Sequence, residues 1–205
     1  MIDNMIRGKP LIAFDGTHAS GKTTLKYHVA ARLKEKGINC AVLSEPARRS
    51  SLVDDVVLRN VGAFDIPLEV DLIMNHISQC IRGTRDGEII LSDRTPINVL
   101  AYTNKLVSSQ NELENELIEK CSLVVGSWAK FYDLIFYCQD FYSADLLRDN
   151  LRSKVIDIQK DIDLETRRQY SQFDCKLQYI PAGLSLEEKS DFVLAIIRNR
   201  FSGIY

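Results

Sequence analysis

The chain has 205 residues, and 26 Lys+Arg against 28 Asp+Glu leave a net charge of −2, with 45% apolar and 26% charged residues. This is an ordinary globular mixture, long enough for one well-buried core and a single domain. Its near-neutral balance argues against a general nucleic-acid binder, and no apolar run approaches the roughly 18 residues of a membrane span.

Along the chain, short apolar runs alternate with longer helical patterns. The N-terminus, MIDNMIRGKPLIAF, carries an early acid and only a four-residue apolar run, so no secretory signal is expected. Leu11–Phe14 reads as a buried strand, and a helix follows from about Gly21 to Lys36. Cys40–Leu43, Glu88–Leu91, Leu134–Cys138 and Leu177–Ile180 read as four further strands. Continuous apolar strands suit a sheet covered on both faces. Val70, Ile73, Met74, Ile77 and Ile81 share one helical face; Leu113, Leu117, Cys121, Val124 and Trp128 share another. The second stripe opens with Ser109-Gln110-Asn111-Glu112, a capping-box pattern, and the last helix opens with Ser185-Leu186-Glu187-Glu188 and turns Phe192, Val193, Ile196 and Ile197 inward. Repeated β-α units predict an α/β fold: a five-stranded parallel sheet with right-handed crossovers and helices on both faces, in one domain over residues 1–205. The five cysteines (Cys40, Cys80, Cys121, Cys138, Cys175) are odd in number, scattered and never in a C-x-x-C pair. They fit a reducing cytosol better than a disulfide framework or a zinc site.

Gly16-Thr17-His18-Ala19-Ser20-Gly21-Lys22-Thr23 matches G-x-x-x-x-G-K-[ST] in full, after an apolar strand and at the opening of a helix. Glycines at both ends let the backbone curl so that N–H groups point inward at phosphate oxygens. The first helical turn, Lys22 to Thr24, adds unpaired N–H groups and a positive dipole end. Lys22 offers a mobile ammonium for the β- and γ-phosphates, and Thr23 a hydroxyl for Mg²⁺. Residues 16–24, including Thr24, are therefore the candidate nucleotide-phosphate-binding set of a P-loop NTPase.

The loop alone does not select a reaction. A GTPase should carry Asn-Lys-x-Asp, but the only Asn-Lys pair continues as Asn104-Lys105-Leu106-Val107. A motor should follow its strand-end Asp with a Glu that polarises water, whereas here Ser92-Asp93 is followed by Arg94. A cation there suits an anionic substrate or a transferring phosphoryl group, which favours a kinase.

Asp93-Arg94-Thr95-Pro96-Ile97-Asn98-Val99-Leu100-Ala101-Tyr102 resembles the D-R-Y-x-x-S-x-x-A-Y segment of thymidylate kinases. Ser44-Glu45-Pro46 at the end of strand two resembles the Arg-Glu-Pro of that family and the Ser-Glu-Pro of deoxynucleoside kinases. Asp133–Tyr137 and Leu184–Glu188 resemble the family's fourth strand and last β-α turn. The resemblance implies a doubly wound kinase with ATP as donor and Mg²⁺ held by Thr23 and, through water, by Asp93. It implies Arg94 on a small-molecule phosphoryl acceptor, and a small lid around 141–156 whose Arg148 and Arg152 close over the reaction. It also places Ala182-Gly183-Leu184 along the adenine edge. The preferred acceptor is a nucleoside monophosphate; a nucleoside or nicotinamide riboside hydroxyl is the alternative, and a nucleotide-binding regulatory module is another. Three departures weaken thymidylate itself as the acceptor. His18 stands where the family has an acid, Thr95 replaces Tyr, and the family's Asp-Arg before strand three has no clear counterpart near Asn75-His76.

Glu45 is the candidate base if the acceptor is a hydroxyl, with a helix-flanking acid as the plainer reading. Arg48 and Arg49 are either acceptor-phosphate ligands or a solvated pair. Arg148 and Arg152 lie at i, i+4 with Asp145 and Asp149 between them, so a surface salt-bridge net is an alternative to a lid. His18 can face the acceptor from the loop. His76, Tyr102 and Phe141-Tyr142 can border a base, although packing explains each of them. The 66–83 stripe is also a candidate homodimer face, which core packing explains equally well.

Overall fold

A computed structural model describes residues 6–48, 50–53, 65–107, 111–142 and 159–204. Five parallel strands, β1 (Leu11–Asp15), β2 (Cys40–Val42), β3 (Ile89–Asp93), β4 (Leu134–Cys138) and β5 (Leu177–Ile180), form one sheet in the order β2-β3-β1-β4-β5. Among the described residues the main helices are α1 (Lys22–Glu35), α2 (Ile66–Gly83), α3 (Pro96–Leu106), α4 (Glu112–Ala129), α5 (Gln159–Gln172) and α6 (Leu186–Arg200). Short turns at Pro46–Arg48 and Ser51–Val53 follow β2.

Strand alternation divides the core. Leu11, Ala13, Ile90 and Ile135 face α2, α3 and α4, where Leu68, Leu72, Leu100 and Val125 meet them. Ile12, Phe14, Leu91 and Phe136 face α1 and α6, where Leu25, Val29, Leu33, Val193 and Ile197 meet them. β1, β3 and β4 are buried along their whole length, which is why they read as unbroken apolar runs. Each such Leu, Ile or Phe contributes roughly 1.5–3 kcal/mol by burial, and truncating Phe14 or Leu33 to Ala should cost about 2–5 kcal/mol.

The helix faces differ from the predicted stripes. In α2 the buried residues include Leu68, Glu69, Leu72, Ile73, His76 and Cys80, while Met74 and Ile81 are 43% and 42% exposed. In α4 the buried residues are Cys121, Val125 and Ala129, and Leu113 is 73% exposed. The apolar spacing marks each helix correctly and finds part of the buried face, since Val70, Ile73, Ile77, Cys121 and Trp128 pack on the core, but buried Glu69 and His76 occupy further inward positions on α2. α4 starts with Asn111, not Ser109, as its cap: the Asn111 side chain accepts from the Glu114 N–H at 3.0 Å. The Ser185/Glu188 capping box on α6 is present in both directions, at 3.2 and 2.8 Å.

Pairing of Phe14 with Asp93 and of Asp15 with Tyr137 sets the ends of β3, β1 and β4 side by side. All five strands run the same way, so the loops after them share one edge. In open α/β sheets that carboxyl edge is where ligands bind.

Candidate active site

The loop after β1 curls rather than lying flat. Gly16 has φ +138°, Ala19 φ +53° and Gly21 φ +79°. A β-carbon at Gly16 would stand 2.6 Å from the Cys138 carbonyl oxygen and 2.8 Å from Ser20 Oγ, and one at Gly21 would stand 3.0 Å from the Tyr142 ring. Ala19 in the left-handed region stores about 1–2 kcal/mol of strain, as functional loops often do. The Gly16 N–H donates to Asp15 Oδ1 at 2.6 Å, and Ser20 Oγ donates to the Thr17 carbonyl at 2.9 Å. The N-cap of α1 is Gly21, which makes no side-chain cap, so the helix start opens on backbone N–H groups and the positive dipole end that suit an anion. Lys22 is buried and lies back across the loop, its Nζ donating to the Thr17 carbonyl at 3.2 Å. Thr23 is half-buried and Thr24 exposed at the helix start.

Asp93 ends β3, buried, with its Oδ2 accepting from Lys26 Nζ at 3.0 Å. Its Oδ1 is buried without a hydrogen-bond partner among the described residues. That orphan carboxylate oxygen and the Thr23 hydroxyl are hard donors of the kind Mg²⁺ takes, with water and phosphate completing its shell. No cluster of three or more His, Cys, Asp or Glu suited to a protein-only metal cage occurs among the described residues.

Arg94 adopts φ +70° and stays beside the loop, its N–H donating to the Phe14 carbonyl at 2.9 Å. Its Nε donates to Glu45 Oε1 at 2.6 Å and its Nη1 to Asn98 Oδ1, and its guanidinium lies 5.2 Å from the centre of the Tyr102 ring. Tyr102 in turn shares a 3.1 Å hydrogen bond with His18 Nδ1, inside the phosphate loop. Burial opposes the charge of Arg94, but Glu45, Tyr102 and Asp15 more than offset it and raise its pKa. Arg48 Nε reaches Glu45 Oε2 at 3.5 Å from a half-exposed position.

A second layer supports these groups. Asp15 is fully buried, and its Oδ2 accepts from Thr95 Oγ1 at 2.8 Å and from the Tyr170 hydroxyl of α5. Burial raises its pKa against those hydrogen bonds and the charge of Arg94. Gln159, also on α5, donates to the His18 carbonyl at 2.6 Å. His76 is buried, its Nε2 shared with Tyr132 at 2.9 Å and Ser92 at 3.0 Å, so it is a core histidine; burial pulls its pKa down to about 4.

Beyond β4, Asp140 accepts from the Gly183 N–H at 2.9 Å and from Lys189 at 2.6 Å. Lys189 also reaches the Tyr142 hydroxyl at 2.9 Å. The Ala182-Gly183-Leu184 turn is thus tied to the loop side of the sheet. Tyr142, through its N–H on the Ala19 carbonyl at 2.9 Å, borders the phosphate loop, and it and Phe141 are largely exposed there.

The structure therefore brings together residues 16–24, Glu45, Asp93 and Arg94. Arg148, Arg152, Arg49 and the predicted lid beyond Tyr142 lie outside the described residues. Sequence reading missed Lys26, Asp15, Asn98, Gln159, Tyr170 and Lys189. Asp15 carried a signal as a charged residue closing an apolar strand, and Asn98 as the residue at the Ser position of the segment that resembles thymidylate kinases; the others carried none.

An AAA-domain family model matches residues 11–189. A thymidylate kinase of Nitratidesulfovibrio vulgaris (strain DP4) is 32% identical over 99 residues, 44% of each chain. One of Maridesulfovibrio salexigens is 30% identical over 125 residues, 57% of each. The chain thus spans about half the length of the curated relatives it matches. Among solved structures, a deoxyadenosine kinase from M. mycoides with bound dATP superposes with a TM-score of 0.69 at 15% identity, covering 91% of this chain and 98% of that one. A NadR protein in complex with NR superposes with a TM-score of 0.69 at 16% identity, covering 94% of this chain and 52% of that one. At such identities the superpositions establish the fold.

Proposed function

The chain belongs to the AAA-domain family, and on that premise we propose that it is an ATP-dependent kinase of a nucleoside or nucleotide. The observation that carries this reading is Arg94. Glu45, Asn98 and Tyr102 hold it beside the curled loop, where it can meet an acceptor brought to the donor's terminal phosphate. The thymidylate kinase relatives support the same reaction class.

In this reading the loop amides from Gly16 to Thr24 and the first turn of α1 bind the ATP phosphates. Lys22 leaves the Thr17 carbonyl for the β- and γ-phosphate oxygens. Thr23 and, through water, Asp93 would hold Mg²⁺, which would supply neutralisation of the phosphate charge. Arg94 orients the acceptor, while Arg148 and Arg152 supply further positive charge to the transferring group. Catalysis of this kind is positioning and charge stabilisation more than covalent chemistry.

Glu45 bears on the acceptor. A monophosphate would have to approach Arg94 against the carboxylate already paired with it at 2.6 Å. A sugar hydroxyl meets no such repulsion and can donate to Glu45, which accepts the proton as the phosphoryl group arrives. The pair thus favours a hydroxyl acceptor over a monophosphate.

The test is acceptor-dependent ADP release across nucleosides, nucleoside monophosphates and nicotinamide riboside. Turnover with at least one hydroxyl acceptor is expected, and none across the panel would remove the kinase reading. Lys22→Ala and Arg94→Ala should each lower kcat at least 100-fold. A regulatory binding module would instead lose ATP affinity with Lys22→Ala alone, and an ATPase would hydrolyse ATP without any acceptor.

The five cysteines are free thiols, and no described helix is long and apolar enough to cross a membrane; the thiols support a cytoplasmic setting. Exposed Met74, Ile81, Leu117 and Val124 support pairing of two copies through α2 and α4.

A further inference from the structure

Lys26 stands one helical turn beyond Lys22 on α1, with no exposed surface. Lysine is rarely interior unless paired, because its ammonium must give up water. Here Nζ donates to the Leu43 carbonyl at 2.5 Å and to Asp93 Oδ2 at 3.0 Å. A methionine would fill similar volume without desolvating a charge, so packing alone does not call for the ammonium.

The two acceptors are not arbitrary. Leu43 follows β2 and leads through Ser44 to Glu45, and Asp93 ends β3 and leads directly to Arg94. Glu45 and Arg94 then close on each other at 2.6 Å. One ammonium therefore joins the phosphate-loop helix to the ends of the two strands that present the acceptor-side ion pair. It also occupies only one Asp93 oxygen, leaving Oδ1 without a partner among the described residues.

We propose that Lys26 is a positioning residue for phosphoryl transfer: it fixes Glu45 and Arg94 in register with the phosphate loop and commits Asp93 to a single open, partly neutralised oxygen on the metal side. The inference rests on the kinase reading above and gives Lys26 a task distinct from that of Lys22. Lys22 serves the donor phosphates, whereas Lys26 touches neither substrate and acts through Asp93 and the Leu43 carbonyl.

The test is Lys26→Met. With Lys22 and the loop amides intact, the KM for ATP should stay within threefold. Misplacement of the acceptor side should lower kcat about 10- to 100-fold. Asp93, relieved of its counter-charge, should bind Mn²⁺ about fivefold more tightly in the presence of a non-hydrolysable ATP analogue, read by calorimetry. A merely structural lysine would weaken rate and metal affinity together. A kcat within threefold of wild type, or an unchanged or weaker Mn²⁺ affinity, would overturn the proposal.

Should Lys26→Met fail to fold, Lys26→Met/Asp93→Asn buries no charge and is compared with Asp93→Asn. The Leu43 and Arg94 N–H groups, bonded to the Leu91 and Phe14 carbonyls, should then exchange at least tenfold faster in the double variant, with β4 unchanged. Equal protection would sink the idea. If the wild-type protein turns over no acceptor, the kinase reading falls, and the Mn²⁺ titration still decides the role of Lys26 at Asp93.

Discussion

At Gly16 the φ of +138° would strain any side chain, and a β-carbon would press on two oxygens, the nearer being the Cys138 carbonyl at 2.6 Å. Neither oxygen is the far end of a flexible chain: one is backbone in β4, the other the Ser20 hydroxyl bonded to the Thr17 carbonyl. Gly16→Ala must therefore displace the loop from β4 or break its internal hydrogen bond. The expected outcome is at least a tenfold loss of ATP affinity in calorimetry, with a stability loss of about 1–3 kcal/mol from left-handed strain and overpacking. Undiminished affinity would mean that the loop binds the donor in another shape. The same scale shows what a residue pattern can and cannot convey. Gly16, Gly21, Lys22 and Thr23 announce themselves because their backbone demands and charges serve a local curl. Lys26 does not, because a lysine one turn into a helix reads as solvated until the ends of β2 and β3 are known to lie beneath it.

Among the buried ionisable groups of helix α2, Glu69 and His76 have opposite effects on stability between about pH 4 and 8. Glu69 accepts from Thr103 Oγ1 of α3 at 3.0 Å, and its other oxygen has no hydrogen-bond partner among the described residues. Burial pushes its pKa up to about 8, with the Thr103 hydrogen bond opposing and Asp65 adding to the rise. The folded protein thus keeps a proton that the unfolded chain releases above about 4.5, so stability falls as pH rises from there to about 8. His76 works the other way. The unfolded chain takes up its proton below about 6.5 while the folded protein resists until about 4, so stability falls as pH drops across that window. Of these two groups, the slopes offset each other between about 4.5 and 6.5, and only Glu69 contributes from about 6.5 to 8, at roughly 1.4 kcal/mol per pH unit. Denaturant unfolding at a series of pH values should show stability falling less steeply between about 6.5 and 8 in Glu69→Gln than in the wild type, by roughly 1.4 kcal/mol per pH unit; identical profiles would remove the assignment. These groups also explain why the strands were legible and the helix faces were not. β1 and β4 are apolar and wholly buried, so their runs can be read directly. On α2, buried Glu69 and His76 stand where an apolar stripe expects Leu, and Met74 and Ile81 complete the spacing while facing outward.

At the level of the whole molecule, the site depends on residues that meet only after the sheet has closed. Asp15, Thr95 and Tyr170 come from the end of β1, the cap of α3 and the last turn of α5. Asp15 uses Oδ1 to hold the first amide of the phosphate loop and Oδ2 to receive Thr95 and Tyr170. Tyr170 also packs edge-on against Tyr137 of β4. Tyr170 thus fastens α5 to the end of β1 and to β4, Asp163 adds a second hold by accepting from the Tyr137 hydroxyl, and Gln159 at the other end of the helix donates to the His18 carbonyl. No local pattern predicts such a triad, since each member alone is an ordinary cap, strand end or core tyrosine. Tyr170→Phe keeps the ring and its aromatic contact and removes only the hydroxyl. Losing a buried hydrogen bond to an acid should cost about 1–3 kcal/mol, a fall in Tm of several degrees at this chain length. If the triad also sets the loop, Asp15 should shift toward Thr95, loosen its hold on the Gly16 amide and weaken ATP binding about three- to tenfold at a temperature where the variant is fully folded. A lowered Tm with unchanged ATP affinity would confine the triad to fastening α5 on the sheet and leave the shape of the loop to Gly16 and Gly21.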